Sequence, residues 1–298
     1  MAADPFRTAG VIPMDPRVIR GEILRYLDED IGSGDVTTEH VVPPGTTARG
    51  SIVAREALVV AGVDMASDVF RALDPALEIE PAVADGTSVS DGARLASLAG
   101  RAAPILTGER VALNLLQRLS GIATVTRRFV DAVAGTGASV SDTRKTTPGL
   151  RALEKYAVRM GGGRNHRMGL FDAILIKDNH IAAAGGIGAA LHAARARGPA
   201  GMPVQIEVDS LAQLGEALAV GVDAVLLDNM TPADVAAAVR LVRAHPAGAL
   251  CWIEASGGIT LANIRAYAQA GVDTISVGAL THSAPAVDIA LDLDPFLN

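Results

Sequence analysis

Apolar residues Val18, Ile19, Ile23, Leu24 and Leu27 recur at helical spacing and predict an opening helix over Pro16 to Asp30, capped by Asp15 and stopped by Gly32. Short strand patterns follow at Ala48 to Ala54, Ala57 to Val60, Leu77 to Val83 and Arg94 to Leu98, with a helix at Asp64 to Leu73 and turns at Asp85-Gly86 and Asp91-Gly92. These elements share no repeating unit, so the pattern predicts a small α+β domain. From Pro104 a helical pattern runs through Leu119, is interrupted by Gly121, and resumes as a second helix to Val133. This stretch marks the boundary between domains.

Beyond Gly137 strand-like and helical runs alternate. The strands are expected at Ala138 to Ser141, Ala173 to Ile176, Val204 to Val208, Ala224 to Leu227, Leu250 to Ile253 and Thr274 to Val277. Helices are expected at Leu150 to Arg159, Gly188 to Arg197, Leu211 to Val220, Pro232 to Ala244 and Leu261 to Ala270. Such alternation implies parallel βαβ units and a closed or nearly closed barrel, with a doubly wound open sheet as the competitor. Six strands fall short of the usual eight, so an incomplete barrel or one unseen strand is expected.

Polar residues or glycines follow these strands or, in the third, stand near its end. They are Asp142, Arg144 and Lys145; Lys177 and Asp178; Glu207 and Asp209; Asp228 and Asn229; Glu254 with Ser256-Gly257-Gly258; and Gly278. In a parallel barrel these converge on the C-terminal mouth, where such folds place their chemistry. Asp209 reads as a helix cap ahead of Leu211. Glu207 lies among Val204, Ile206 and Val208, where an unpaired carboxylate would be costly, so it should face a cation; Lys177 after an apolar strand needs the opposite partner. Ser256-Gly257-Gly258-Ile259-Thr260 ahead of a helix, with Val277-Gly278-Ala279-Leu280 one unit later, reads as a phosphate cradle. Glu207 and Asp228 between cradle and basic cluster suit Mg²⁺ on a polyanion.

Composition sharpens the basic cluster. The 298-residue chain has a formal charge of -7, yet residues 141–180 gather Arg144, Lys145, Arg159, Arg164, His166, Arg167 and Lys177 around Gly161-Gly162-Gly163. A basic island in an acidic chain asks for an anionic partner. The three lysines, Lys145, Lys155 and Lys177, all fall inside it, so lysine there is a candidate for a task that a mobile ammonium performs. Lys155 reads as a solvated helix residue, which sets Lys145→Ala to lose far more turnover than Lys155→Ala. His166 is the best histidine for ligand contact; His180 and His282 are open between ligand and structural roles, and His40, His192 and His245 read as inert. No histidine pair has zinc spacing. Cys251 sits in an apolar run as a buried residue, the opening MAADPFRTAG has neither the basic start nor the apolar core of a signal peptide, and no uninterrupted apolar segment approaches the length that spans a bilayer, which together point to the cytoplasm. Net acidity with 3% aromatic residues argues against nucleic acid as the main partner.

The segments DTRKTTPGLR, EKYAVRMGGGRNHRMGLFDAILIKDNH, QIEVDS, LLDNM and EASGGI followed by SVGAL, with GDVTT at Gly34 to Thr38 and ERVALNLLQRLSGIAT at Glu109 to Thr124, resemble the quinolinate phosphoribosyltransferase family over nearly the whole chain. The resemblance implies an α/β fold: an N-terminal α/β sandwich domain (1–115, with 280–298 packing back on it) and an open, TIM-like, seven-stranded α/β barrel (116–279). It implies transfer of phosphoribosyl from phosphoribosyl pyrophosphate to quinolinate, with loss of pyrophosphate and CO₂ to give nicotinate mononucleotide, in a homodimer with shared sites. Residue by residue, Thr143, Arg144, His166 and Arg167 would bind quinolinate together with Arg110 from a neighbouring subunit. Lys145, Lys177, Glu207 and Asp228 would be catalytic, the last two holding Mg²⁺. Ser256, Gly257, Gly258, Val277, Gly278 and Ala279 would take the 5′-phosphate. Rival readings are a related phosphoribosyltransferase with another carboxylated aromatic acceptor, a Schiff-base aldolase using Lys145 or Lys177, and a non-catalytic phosphate-sugar sensor.

Overall fold

The computed structural model describes residues 16–248 and 250–294, which divide into two compact units: 16–125, 159–162 and 284–294 in one, 126–158 and 163–283 in the other. Asp15, expected to cap the first helix, lies outside the described residues.

In the first unit α1 (Pro16–Ile31) ends at Gly32, whose φ of 52° only glycine adopts readily. A short helix absent from the periodicity, α2 (Val36–Val41), is nucleated by Asp35, whose carboxylate accepts from the Thr38 amide at 2.9 Å and from Thr107 Oγ1 at 2.9 Å. The hydrogen bonds from Thr38 lead in holding that carboxyl below its usual range. The strands β1 (Thr47–Ala54), β3 (Glu78–Pro81), β5 (Arg94–Arg101) and β12 (Ile289–Leu293) form an antiparallel sheet in the order β12-β1-β5-β3. A ribbon of β2 (Leu58–Val59) and β4 (Ser88–Val89) stands apart. Ile23 and Leu27 of α1 join Phe70 of α3 (Val63–Leu73) and Leu95 and Leu98 of β5 in one buried cluster. The chain's last described strand thus pairs with its first.

One expectation is corrected here. The helix expected to break at Gly121 is a single α4 (Ala102–Ala132). Gly121 stays helical, and its missing side chain has another cause: a Cβ there would overlap the carbonyl oxygen of Pro285. The glycine records a close approach of backbone rather than a break.

The second unit carries β6 (Ser139–Ser141), β7 (Ile174–Ile176), β8 (Val204–Val208), β9 (Ala224–Asp228), β10 (Trp252–Ser256) and β11 (Thr274–Ser276) in one parallel sheet, ordered β6-β11-β10-β9-β8-β7. Sequence neighbours β6 and β7 are its two edges, so the sheet is an open barrel. On the outer side of β6 a single parallel bridge joins Ser141 to Arg164, in the place of a seventh strand. The helices are α5 (Arg151–Met160), α6 (Asp178–Ala184), α7 (Ile187–Arg197), α8 (Leu211–Val220), α9 (Pro232–Ala244), α10 (Ile264–Gln269) and α11 (Ala279–His282). No helix is long and apolar enough to cross a membrane among the described residues.

Three local corrections bear on the site. β10 begins at Trp252 instead of Leu250, which is 80% exposed, so Glu254 and Ser256 belong to the strand itself. Ser210, not Asp209, caps α8 through its side chain and the Gln213 amide. The helix after Gly257-Gly258 starts only at Ile264, so the glycines form a free-standing turn and not a helix N-terminus.

Candidate active site

Side chains along a strand alternate between faces, so every second residue of this sheet points to the barrel interior. Leu175 and Lys177, Leu226 and Asp228, Glu254 and Ser256, and Ser276 and Gly278 obey that period, and with Glu207 they line a cavity of about 510 Å³. Thr143, Arg144, Lys145, His166, Arg167, Asn229, Gly257 and Gly258 complete it. The mouth therefore gathers residues from six strand ends and from the 163–173 segment. Arg110 is exposed on α4 and is not part of this lining.

One side of the cavity is cationic. Arg167 is 5% exposed, its guanidinium donates to Ala173 O at 3.1 Å, and among the described residues its Nε has no hydrogen-bond partner, nor has the buried Nε of Arg144. Burial first, and then the Arg144 charge, depresses the Arg167 guanidinium below its ordinary range. Two guanidiniums lining one cavity with donors unused are a demand for an anion with several oxygens. His166 stands beside them, its Nε2 3.5 Å from Glu254 Oε2 and 3.3 Å from Gln205 Oε1, and its Nδ1 accepting from the Arg167 amide at 2.8 Å. Burial alone would lower the His166 pKa, but the charge and hydrogen bond of Glu254 outweigh it and raise it.

Glu254 is almost completely buried, and burial alone would raise its carboxyl; His166, Ser276 and Gln205 prevail and lower it. Gln205, buried in β8, is the member that the sequence left unread. Its signal was a polar residue two before Glu207 on one strand, hence on the same interior face.

The opposite side is acidic. Lys177 donates to Glu207 Oε2 at 2.8 Å, which gives each the partner its position demanded and holds Lys177 in an ion pair. Asp228 is raised first by burial and then by the charge of Glu207, against Lys177 and Lys145. Its neighbour Asn229 has φ of 54°, donates to Asp228 Oδ2 at 2.7 Å, and through its amide to Ser256 O at 2.9 Å. Gly257 (φ 94°) must be glycine, since a Cβ would overlap Asn229 Oδ1 and lie 2.7 Å from the Asn229 amide nitrogen. Gly278 faces Lys145, whose Cδ would lie 3.2 Å from a Cβ there.

Not every expected residue reaches the mouth. The Val277 amide is consumed by Ser141 O at 2.9 Å, and neither Val277 nor Ala279 lines the cavity; Gly278 represents that segment. Asp142, placed at the mouth by its position after a strand, is fully buried beneath it. Lys155 is the clearest correction: far from solvated, it is fully buried and ion-paired with Asp142. Its periodicity placed it on a helix but could not reveal that the face was covered. Burial pushes the Asp142 carboxyl up and the Lys155 amine down, each opposed by the partner's charge. Removing one member of such a pair typically destabilises by about 3–5 kcal/mol. His180 Nδ1 accepts from the Lys177 amide at 3.0 Å and serves α6, and His282 Nδ1 lies 2.6 Å from Ser283 Oγ.

An open parallel barrel with anion-binding and carboxylate sides facing each other across its C-terminal mouth defines an enzyme that handles a polyanionic substrate. Residues 35–120 match the quinolinate phosphoribosyl transferase N-terminal domain and residues 122–292 its C-terminal domain. The chain is 48% identical over 281 residues to the nicotinate-nucleotide pyrophosphorylase [carboxylating] of Mycobacterium leprae, covering 92% of this chain and 96% of that one. The crystal structure of NadC from Streptococcus pyogenes is similar at a TM-score of 0.90 and 40% identity, over 96% of this chain and 100% of that one. The nicotinate-nucleotide pyrophosphorylase structure from Francisella tularensis follows at 0.88 and 38%, over 95% and 98%. This chain belongs to the quinolinate phosphoribosyl transferase family.

Proposed function

We infer that the protein transfers phosphoribosyl from phosphoribosyl pyrophosphate to quinolinate and decarboxylates the adduct, giving nicotinate mononucleotide, pyrophosphate and CO₂ for de novo NAD synthesis in the cytoplasm. The observation that carries this reading is the pair Arg144 and Arg167, both lining the cavity with buried Nε donors that find no partner among the described residues, beside His166. Quinolinate has carboxylates on adjacent ring carbons, and a planar guanidinium can grip each with parallel hydrogen bonds. Thr143 lines the same end.

With the ring fixed there, its nitrogen faces the ribose C1. Glu207 and Asp228 take the ribose hydroxyls and steady positive charge at the anomeric carbon as the bond to pyrophosphate breaks. Lys145 and Lys177 balance the departing pyrophosphate. Ser256, Gly257, Gly258 and Gly278 receive the 5′-phosphate, the two positive-φ glycines keeping the turn clear of side chains. Ribosylation leaves a cationic ring nitrogen beside the 2-carboxylate, which then departs as CO₂ while its bonding electrons stay on the ring and take up a proton. Catalysis is positioning and electrostatics, without a covalent enzyme intermediate.

The carboxylates fit Mg²⁺. Asp228 is raised partly by the like charge of Glu207, a repulsion that a divalent cation relieves, and among the described residues no group of three or more potential metal ligands exists to hold an ion unaided. Two carboxylates plus substrate oxygens is the usual magnesium arrangement. When bound, the ion neutralises charge on the pyrophosphate leaving group. Arg110 of the partner subunit completes the quinolinate end in a homodimer with shared sites.

The test supplies purified protein with phosphoribosyl pyrophosphate, Mg²⁺ and either quinolinate or nicotinate. Nicotinate mononucleotide forming with quinolinate and not with nicotinate is expected. Consumption of nicotinate without product from quinolinate would overturn the reading.

A further inference from the structure

Lys155 does not line the mouth, yet its bonds lead to it. From α5 its Nζ donates to Asp142 and, at 2.9 Å, to the carbonyl of His166, while Asp142 Oδ1 accepts the His166 amide at 2.9 Å. One buried ion pair therefore occupies both backbone polar groups of a single residue. Asn165 tightens the hold, donating from Nδ2 to Asp142 Oδ2 at 2.6 Å and to Lys155 O at 2.8 Å. The next amide, that of Arg167, donates to His166 Nδ1 and fixes the imidazole. An ion pair serving packing alone has no reason to direct its remaining bonds to the peptide that carries His166 and Arg167.

Other residues of α5 act on the neighbouring loop. Glu154 accepts from the Thr147 amide at 3.0 Å and Thr147 Oγ1 at 2.8 Å, and Arg151 donates to Thr146 Oγ1 at 3.0 Å and to Met168 O at 3.2 Å. The opposite side of the mouth, Glu207, Asp228 and Gly257, hangs from β8, β9 and β10 and shares none of these bonds.

We propose that Lys155, paired with Asp142, is a positioning residue for the aromatic dicarboxylate, clamping the His166 peptide from beneath so that His166 and Arg167 meet the carboxylates in register. The proposal rests on the quinolinate reading above. It separates the two substrates: loss of the clamp loosens the quinolinate end and leaves the phosphoribosyl end intact.

The experiment compares unmodified protein, Lys155→Met, and the double variant Lys155→Met/Asp142→Asn, which leaves no unpaired buried charge. Thermal midpoint, kcat and both KM values are measured. The KM for quinolinate is expected to rise about a hundredfold, as for a displacement near 1 Å, while that for phosphoribosyl pyrophosphate stays within about twofold. The double variant is expected to recover thermal midpoint without recovering quinolinate KM. An unchanged quinolinate KM in a folded variant, a parallel rise in both KM values, or failure of both variants to fold would overturn the proposal by assigning the pair to stability alone. Unmodified protein that makes no nicotinate mononucleotide would refute the functional reading instead.

Discussion

Glu254, at 1% exposure, has its carboxyl held below the ordinary range by His166, Ser276 and Gln205, and its charge and hydrogen bond in return raise the His166 imidazole. Because the folded His166 pKa is raised, its stabilising contribution is complete below the ordinary value of 6.5 and is lost as pH rises through the folded value. In Glu254→Gln the raising influence is gone, so that loss of stability is expected at lower pH; thermal midpoint against pH in the two proteins checks this, and superimposed profiles would contradict it. Residues such as Glu254 and Lys155 show where sequence reading stops. Charge and periodicity identify them as polar residues on a strand and a helix, but whether a charge is solvated or sealed depends on what packs over it. Glu207 was legible because its apolar strand neighbours alone required a cation.

At the scale of elements, strands and helices of the second unit follow from alternation, and their polar ends define the mouth by the period-two rule. What escaped was register and glycine meaning. β10 slid by two residues because Leu250 and Cys251 are apolar yet precede the strand, and Gly121 was taken for a break when it accommodates Pro285. Gly121→Ala should therefore destabilise by about 1–3 kcal/mol through overpacking, read from urea unfolding, although alanine is the better helix former. Equal or higher stability would show that the contact has room. Gly257→Ala, with both a positive φ and Asn229 in the way, should raise KM for phosphoribosyl pyrophosphate and leave quinolinate binding little changed. Titration of each substrate separately checks it, and an equal loss for both would contradict the division of the mouth.

For the whole molecule, Arg110 lies outside the cavity lining, and the proposed homodimer would supply it from the partner subunit. Arg110→Ala and Lys145→Ala, each inactive alone, should regain activity when unfolded together and refolded as a mixture, because a hybrid dimer contains one intact site; random pairing at equal amounts sets the recovery at about a quarter of the unmodified activity. No recovery would contradict shared sites. The central claim is that one mouth both ribosylates the ring nitrogen and releases the adjacent carboxylate. It is tested most directly with quinolinate labelled at the 2-carboxyl carbon, in the presence of phosphoribosyl pyrophosphate and Mg²⁺. Label released as CO₂ in step with each nicotinate mononucleotide formed is the expected result, whereas label retained in the nucleotide, or CO₂ released without nucleotide, would contradict it.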